Sequence, residues 1–386
     1  MAANKGIILV ASINAFHGNV LPENFDRMYQ EHLGLEVLGG SGLSMTINCH
    51  GIDFLMYPWL RDALRSYSNL RVAGGLFSHI IPSLFSREYV KWQHEEGASM
   101  IRPKIPISFY PEFCNPENPQ DNFWVLDSQN LYYSLEGERV DWLNEREIEA
   151  KAISFKGRVG LIMKEKAYKP ILDAFFLAQR LPDALSSNGR SNLDSLVDTI
   201  AALNEVVLWP LDLEATYVGS HLGQEFWRRL IAKIKERGLE NLFLDFDEVF
   251  PQLAAEAVET KDAPHRNLMK WTSLPATFNL YARLSQLSRQ KLSVRQKYLL
   301  SIAGGADIAA AIYQKSSRKV SRPAVLLSGE QSTICVSGSK EIIDATYLAL
   351  ESLVKGGSFA GKLSAHKQNK SLFWQRLMAV AVHLEI

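Results

Sequence analysis

A chain of 386 residues with 42 basic and 42 acidic side chains has no net charge, which excludes the global field that nucleic acid or an anionic membrane would attract. Its three cysteines (Cys49, Cys114, Cys335) are too scattered for a metal site or a disulfide framework, and no stretch reaches the roughly 20 apolar residues of a membrane helix. The opening Met1–Gly6 and the strand-length run Ile7–Val10 do not form a signal peptide, so a soluble, cytoplasmic protein of one large domain or two is expected.

Gly6–Ser12 reads as a first buried strand, delivering Asn14, His17 and Asn19 into a loop. A helix over 24–37 follows, then a strand at Ser44–Cys49 leading to His50 and Asp53, and a helix at Pro58–Tyr67. Leu70–Gly75 is a third strand; its two glycines permit close backbone approach, and His79 lies just beyond. After a helix over 86–97, Ile105–Cys114 reads as a fourth strand ending on Glu112, and pieces at Trp124–Asp127 and Leu131–Tyr133 suggest a hairpin. The charged segment Glu136–Lys151 suggests a solvated helix or an excursion, and Ile153–Phe155 with Val159–Met163 the next strand region. Helices at Tyr168–Arg180 and 192–203 flank the loop Ser186–Ser191.

The stretch Leu208–Gly219 organises the rest. An apolar run, Val206–Leu208, ends at Pro210, with Asp212 and Glu214 just past it, then a glycine-rich break and an amphipathic helix from Gln224 to Arg237. Acidic residues at the carboxyl end of a strand sit where α/β proteins place their active sites. Asn241–Asp245 reads as a last strand. Beyond it helical patterns take over (Tyr281–Gln290, Val294–Lys315, 340–355, 371–384), interrupted at Ala324–Val336 by an expected β-hairpin. The pattern is α/β before residue 255 and largely helical over 256–386.

Glu112 and Asp212 each close a strand, so a parallel sheet would present both on one rim. Two carboxylates so placed are the minimum for glycoside hydrolysis: one attacks the anomeric carbon or activates water, the other protonates the leaving oxygen. Glu214 and Asp307 are positioned in sequence to raise the pKa of the acid. Trp59, Tyr110, Trp124, Trp209 and Tyr217 are candidate sugar-stacking platforms near these loops, each with core packing as its plainer alternative.

These segments together resemble glycoside hydrolase family 57. The family's opening His-Gln-Pro is similar to Asn14–Asn19, which keeps His17 and lacks the Gln-Pro. Its Gly…His-x-x-x-Pro segment is similar to Gly74–Pro82. Its Trp-Leu-x-Glu motif, carrying the nucleophile, matches Phe109–Glu112, and its Asp-Gly-Glu-x-Phe-Gly motif, carrying the acid/base, resembles Asp212–Gly219. A last motif is echoed at Gly304–Ala310, which keeps Asp307. The resemblance lies in the order of the motifs over most of the chain. It implies an incomplete (β/α)7 barrel over 1–255 with a helical C-terminal region, 256–386, packed on it. It also implies a retaining glycosidase or transglycosylase with Glu112 as nucleophile and Asp212 as acid/base. His17, His79, Glu214, Asp307, Trp209 and Tyr110 would contact the sugar or position the pair. No metal or organic cofactor is expected; the partner is a carbohydrate, not nucleic acid or membrane, and sugar, linkage and oligomeric state stay open.

Three other classes compete. A metal-dependent carbohydrate deacetylase needs an Asp pair on its first strand and an H-x-x-x-H ligand pair; the first strand has no Asp, and Ser83 stands four residues after His79. A non-catalytic carbohydrate-binding or regulatory protein on a decayed barrel fits the eroded motifs. A sugar-modifying enzyme of small-molecule biosynthesis would use the same two carboxylates.

Overall fold

Six strands are present among the described residues: Gly6–Ser12 (β1), Met45–Asn48 (β2), Leu70–Ala73 (β3), Ile107–Ser108 (β4), Phe123–Trp124 (β5) and Val206–Asp212 (β6). They belong to a computed structural model that describes residues 5–16, 22–80, 84–102, 107–108, 123–124, 165–185, 188–217, 222–249, 275–305, 329–366 and 371–386. Four strands form one all-parallel sheet in the order β3-β2-β1-β6, and β4 pairs with β5, also in parallel. Every residue of β1 is buried. Its unbroken Ile-Ile-Leu-Val-Ala run is the composition of a parallel strand covered on both faces, where an alternating pattern would leave one face wet.

Helices fill the connections: Pro22–Gln30 (α1) and the short Leu35–Gly39 (α2) after β1, then Gly51–Met56 (α3) and Pro58–Ser66 (α4) after β2. Arg87–Ile101 (α5) follows β3, Glu165–Arg180 (α6) and Asn192–Ala201 (α7) precede β6, and Gln224–Glu236 (α8) and Phe246–Val249 (α9) come after it. The helix starts follow capping chemistry. The hydroxyls of Ser86 and Ser191 accept from the main-chain N–H groups of Tyr89 and Asp194, and Pro58 occupies the first turn of α4, where its missing N–H costs nothing.

The C-terminal part holds Pro275–Ser288 (α10), Val294–Ala303 (α11), Gly329–Lys355 (α12), Phe359–Ala365 (α13) and Leu372–His383 (α14). These helices share the hydrophobic core of the sheet and its helices: Phe373 of α14 meets Phe16 and Phe25 edge-on at 5.9 and 5.5 Å. The Ser86 N–H donates to the Ser288 hydroxyl at 2.9 Å, tying α10 to the start of α5. Among the described residues no helix is long and apolar enough to cross a membrane.

Three expectations about strands change. The hairpin over Ala324–Val336 does not form: from Gly329 onward the chain is helical, continuous with a stretch whose buried Ile342, Thr346, Ala349 and Leu353 recur at helical spacing. Extending an established helix costs far less than nucleating a new element, so the β-branched Thr333, Ile334 and Val336 follow it. Asn241–Asp245 is not a strand; Glu240–Leu242 is a 3-10 turn, and the chain after it meets β1 through the isolated bridge Phe243↔Ile7 and the Leu244 N–H, which donates to the Ile7 carbonyl at 2.8 Å. Pro210 does not end β6, which runs on to Asp212 with Pro210 opposite Val10. A proline is tolerated within a strand where its missing N–H faces away from the ladder. The expected hairpin after Trp124, the helix at Glu136–Lys151 and the strand region 153–163 lie outside the described residues.

Candidate functional site

The last rung of the parallel sheet aligns Ala73, Asn48, Ser12 and Asp212 across β3, β2, β1 and β6. Four loops leave the sheet at this level, and parallel strands send all of them off the same edge. Strand ends approach closely here. Gly74 sits at φ +128°, and a Cβ on it would lie 1.9 Å from the Cys49 carbonyl oxygen, so only glycine lets the loops after β2 and β3 run side by side.

Those loops deliver a buried polar cluster. The main-chain N–H of Asn14, after β1, donates to the carboxylate of Glu214, after β6. The Asn14 amide nitrogen lies 3.2 Å from Nδ1 of His79, after β3, while its oxygen accepts from the Phe16 N–H at 2.9 Å. Asp53, after β2, accepts from the N–H groups of Ala15 at 2.9 Å and His50 at 2.7 Å. The His50 ring places Nδ1 3.5 Å from the Asp53 carboxylate and crosses the His79 ring with centroids 3.7 Å apart. Asn14, His50, Asp53, His79 and Glu214 are all buried, Asp53 completely.

Burial sets the electrostatics. Desolvation lowers the His50 pKa to about 3, helped by the charge of His94, so the ring is neutral at neutral pH. Desolvation raises Asp53 to about 6, against the pull of His79 and of the two main-chain N–H donors. The Cys49 thiol is pushed up by burial and by the Asp53 charge, and the Tyr57 phenol by burial and by the charges of Glu214 and Asp53. Such an edge can hold a carboxyl near its midpoint close to neutrality, the condition for proton transfer in either direction.

A second network fixes the loop that carries His79. The Gln93 amide oxygen accepts from the Ser78 N–H at 3.0 Å, and its nitrogen donates to the hydroxyls of Tyr89 at 2.9 Å and Ser301 at 2.5 Å. The Tyr89 and Ser301 hydroxyls are 2.8 Å apart. Gly97 of α5 seats the same loop, since a Cβ there would lie 2.3 Å from the Leu76 carbonyl carbon.

Of the residues singled out from sequence, His79 and Glu214 meet in this cluster and Asp212 is the last residue of β6. Glu112, Tyr110, His17 and Asp307 lie outside the described residues. Trp209 is not an open platform: it is fully buried and packs edge-on against Phe175 at 5.4 Å. A strand covered on both faces turns its large side chains into the core. Tyr217 is likewise buried, with the Arg27 guanidinium 5.9 Å over its ring, and Trp59 is stacked on His32 at 4.9 Å. Sequence reasoning placed Asn14, His50 and Asp53 just past strands without assigning them to the site. The rule that selected Glu214 also covers them. Gln93 and His94, inside a helix, carried no such signal.

Among the described residues no group of three His, Cys, Asp or Glu is arranged to hold a metal ion. No protein-family model and no curated protein matches the chain. Among solved structures it is similar to a GH57 branching enzyme from Thermococcus kodakaraensis, crystallised with glucose, at 10% identity and a TM-score of 0.46 over 92% of each chain. It is also similar to a 4-alpha-glucanotransferase from Thermococcus litoralis, at 13% identity and a TM-score of 0.40 over 90% of this chain and 53% of the other.

Proposed function

We propose that this chain cleaves or transfers glycosidic linkages by a retaining two-carboxylate route. The proposed frame is an incomplete (β/α)7 barrel over 1–255, with the helical region 256–386 packed against it. The observation that carries the reading is the convergence at one sheet edge. Asp212 closes β6 level with Ser12, and Asn14, His50, Asp53, His79 and Glu214 gather just beyond that rung in a desolvated cluster. Catalytic groups of parallel α/β folds sit at that edge, and the order of motif-like segments in the sequence supports the same assignment.

In this reading Glu112 attacks the anomeric carbon while Asp212 protonates the departing glycosidic oxygen. Asp212 then takes a proton from water or a sugar hydroxyl, which displaces Glu112 from the glycosyl-enzyme. Hydrolysis and transfer differ only in which hydroxyl arrives. His79 and Glu214 position the pair or bind sugar hydroxyls, and His17, Tyr110 and Asp307 complete the substrate contacts. The acid needs a raised pKa, and the desolvation that raises Asp53 to about 6 at the same edge supports that reading.

The test compares wild type, Glu112→Gln and Asp212→Asn on a panel of α- and β-linked oligosaccharides, with products followed by mass spectrometry. Turnover by wild type that falls about 10²-fold or more in both variants is expected. Turnover that survives both substitutions removes these residues from the mechanism. Saccharide binding without turnover by wild type would favour the non-catalytic carbohydrate-binding protein instead.

A further inference from the structure

A pocket of about 380 Å³ opens among α3, α4, β3 and the last turn of α5, and three exposed arginines, Arg61, Arg65 and Arg102, line it. Its volume lies within the range of small-molecule sites. Leu64, Val72 and Met100, each half-buried, supply an apolar wall, and among the described residues no carboxylate lines it. None of the three arginines has an ion-pair partner among the described residues. Arg71, on β3 beside them, shows the contrast: it is paired with Asp245 at 2.9 Å.

Each cation taken singly has an ordinary explanation. Arg65 lies in the last turn of α4 and Arg102 caps the C-terminus of α5, where positive charge favours the helix dipole. That explanation does not account for their meeting around one concavity with a third. Two helix C-termini contribute about −0.5 elementary charge each, which leaves about two net positive charges on the lining. Arg102 also holds its backbone at φ +52°, a helix-ending conformation that favours glycine. The Arg61 guanidinium lies 5.5 Å from the centroid of the Phe54 ring, an arrangement that leaves its N–H edge available to an anion.

We propose that this pocket binds a small organic phosphate, its dianionic head held by the three guanidiniums and a ring-sized body lying against Leu64, Val72 and Met100. A phosphate dianion matches the net charge of the lining and the forked donors of arginine, which a single carboxylate matches less well. Its lining shares no residue with the carboxyl-edge cluster, and the proposal stands or falls independently of the glycosidic reading.

Isothermal titration calorimetry of the full chain at pH 8 with phenyl phosphate, and in parallel with inorganic phosphate, tests it. Phenyl phosphate is expected to bind wild type, more tightly than inorganic phosphate and more weakly as salt is added. Arg61→Gln combined with Arg65→Gln, and separately Ser99→Glu, should each weaken phenyl phosphate about tenfold or more. Ser99 is an exposed lining residue, so the second variant sets a carboxylate among the guanidiniums without touching the core. Thermal melting at the wild-type temperature confirms that both variants are folded. Absence of phenyl phosphate binding to wild type at millimolar concentration overturns the proposal, as does undiminished binding in either folded variant.

Discussion

Two buried polar networks meet on the loop after β3, and they are built from opposite chemistry. Between α5 and α11, Gln93, Tyr89 and Ser301 are neutral groups that bond one another and the Ser78 N–H. Burial pushes the Tyr89 phenol well above its ordinary range, so this network carries no charge at accessible pH. One residue along, His79 belongs to the carboxyl-edge cluster, whose His50, Asp53 and Glu214 are ionisable. A fully bonded neutral network adds stability and specifies the packing. An ionisable one in the same low dielectric works against stability through desolvation and makes it depend on pH, a pattern that clusters at functional sites. The molecule thus fixes Ser78 with neutral bonds and delivers the next residue, His79, into the ionisable cluster.

The largest expected effect lies in the neutral network. Gln93→Leu removes the acceptor of the Ser78 N–H and the donor to two hydroxyls in a fully buried position. It should cost about 3 kcal/mol in urea unfolding, by the same amount at pH 5 and pH 8. A cost that changes with pH would break the distinction between the two networks.

The ionisable cluster should behave in the opposite manner. Asp53, raised from 3.8 to about 6, binds its proton more tightly folded than unfolded, so its contribution to stability is present at low pH and is lost as pH rises from about 4 through 6. His50, lowered from 6.5 to about 3, contributes stability that is present above pH 6.5 and is lost as pH falls towards 3. In wild type the two slopes oppose each other. Asp53→Asn should therefore gain on wild type by on the order of 2 kcal/mol as pH rises from about 4 to 6. His50→Gln should gain on wild type as pH falls over the same interval. Chemical denaturation of both variants at several pH values reads these slopes, and parallel curves for wild type and variants would show that neither group titrates as its burial requires.

Tyr89→Phe is the mildest probe. It deletes one hydroxyl between Ser301 and Gln93 while keeping the ring, and should cost about 1 kcal/mol with no pH dependence. A neutral result would assign the network's stability to the Gln93–Ser78 bond.

Much of this architecture is legible in the sequence, because parallel buried strands are local features. The runs at Gly6–Ser12, Leu70–Ala73 and Val206–Asp212 are apolar and bounded by polar loops, and each appears as a strand. The site is partly legible by the same rule: Glu214 and His79 were singled out because they follow strands. His50 and Asp53 follow one too, yet nothing local distinguishes them from loop residues capping a short helix. Their roles come from desolvation and from bonds to Ala15 on another loop, and those depend on how β1 and β2 are aligned.

Where the expectations failed, a nonlocal cause decided. Residues 333–336 have strand propensity, but they join a helix nucleated by the buried pattern after them. Trp209 resembles a platform in one dimension and is a core residue in three, because the face a strand residue presents is settled by what packs on it. The sequence by itself determined the parallel α/β character, the strands that build the described sheet and the polar loops that leave it, since these follow from hydrophobic period and short-range turn chemistry. Only the tertiary structure decided that four loops distant in sequence would share one buried cluster, that Gln93 would serve as its clamp and that three arginines would surround one pocket. The contact between Gln93 and Ser301 joins residues 208 positions apart, and no local pattern encodes a distance that the packing of the whole chain creates.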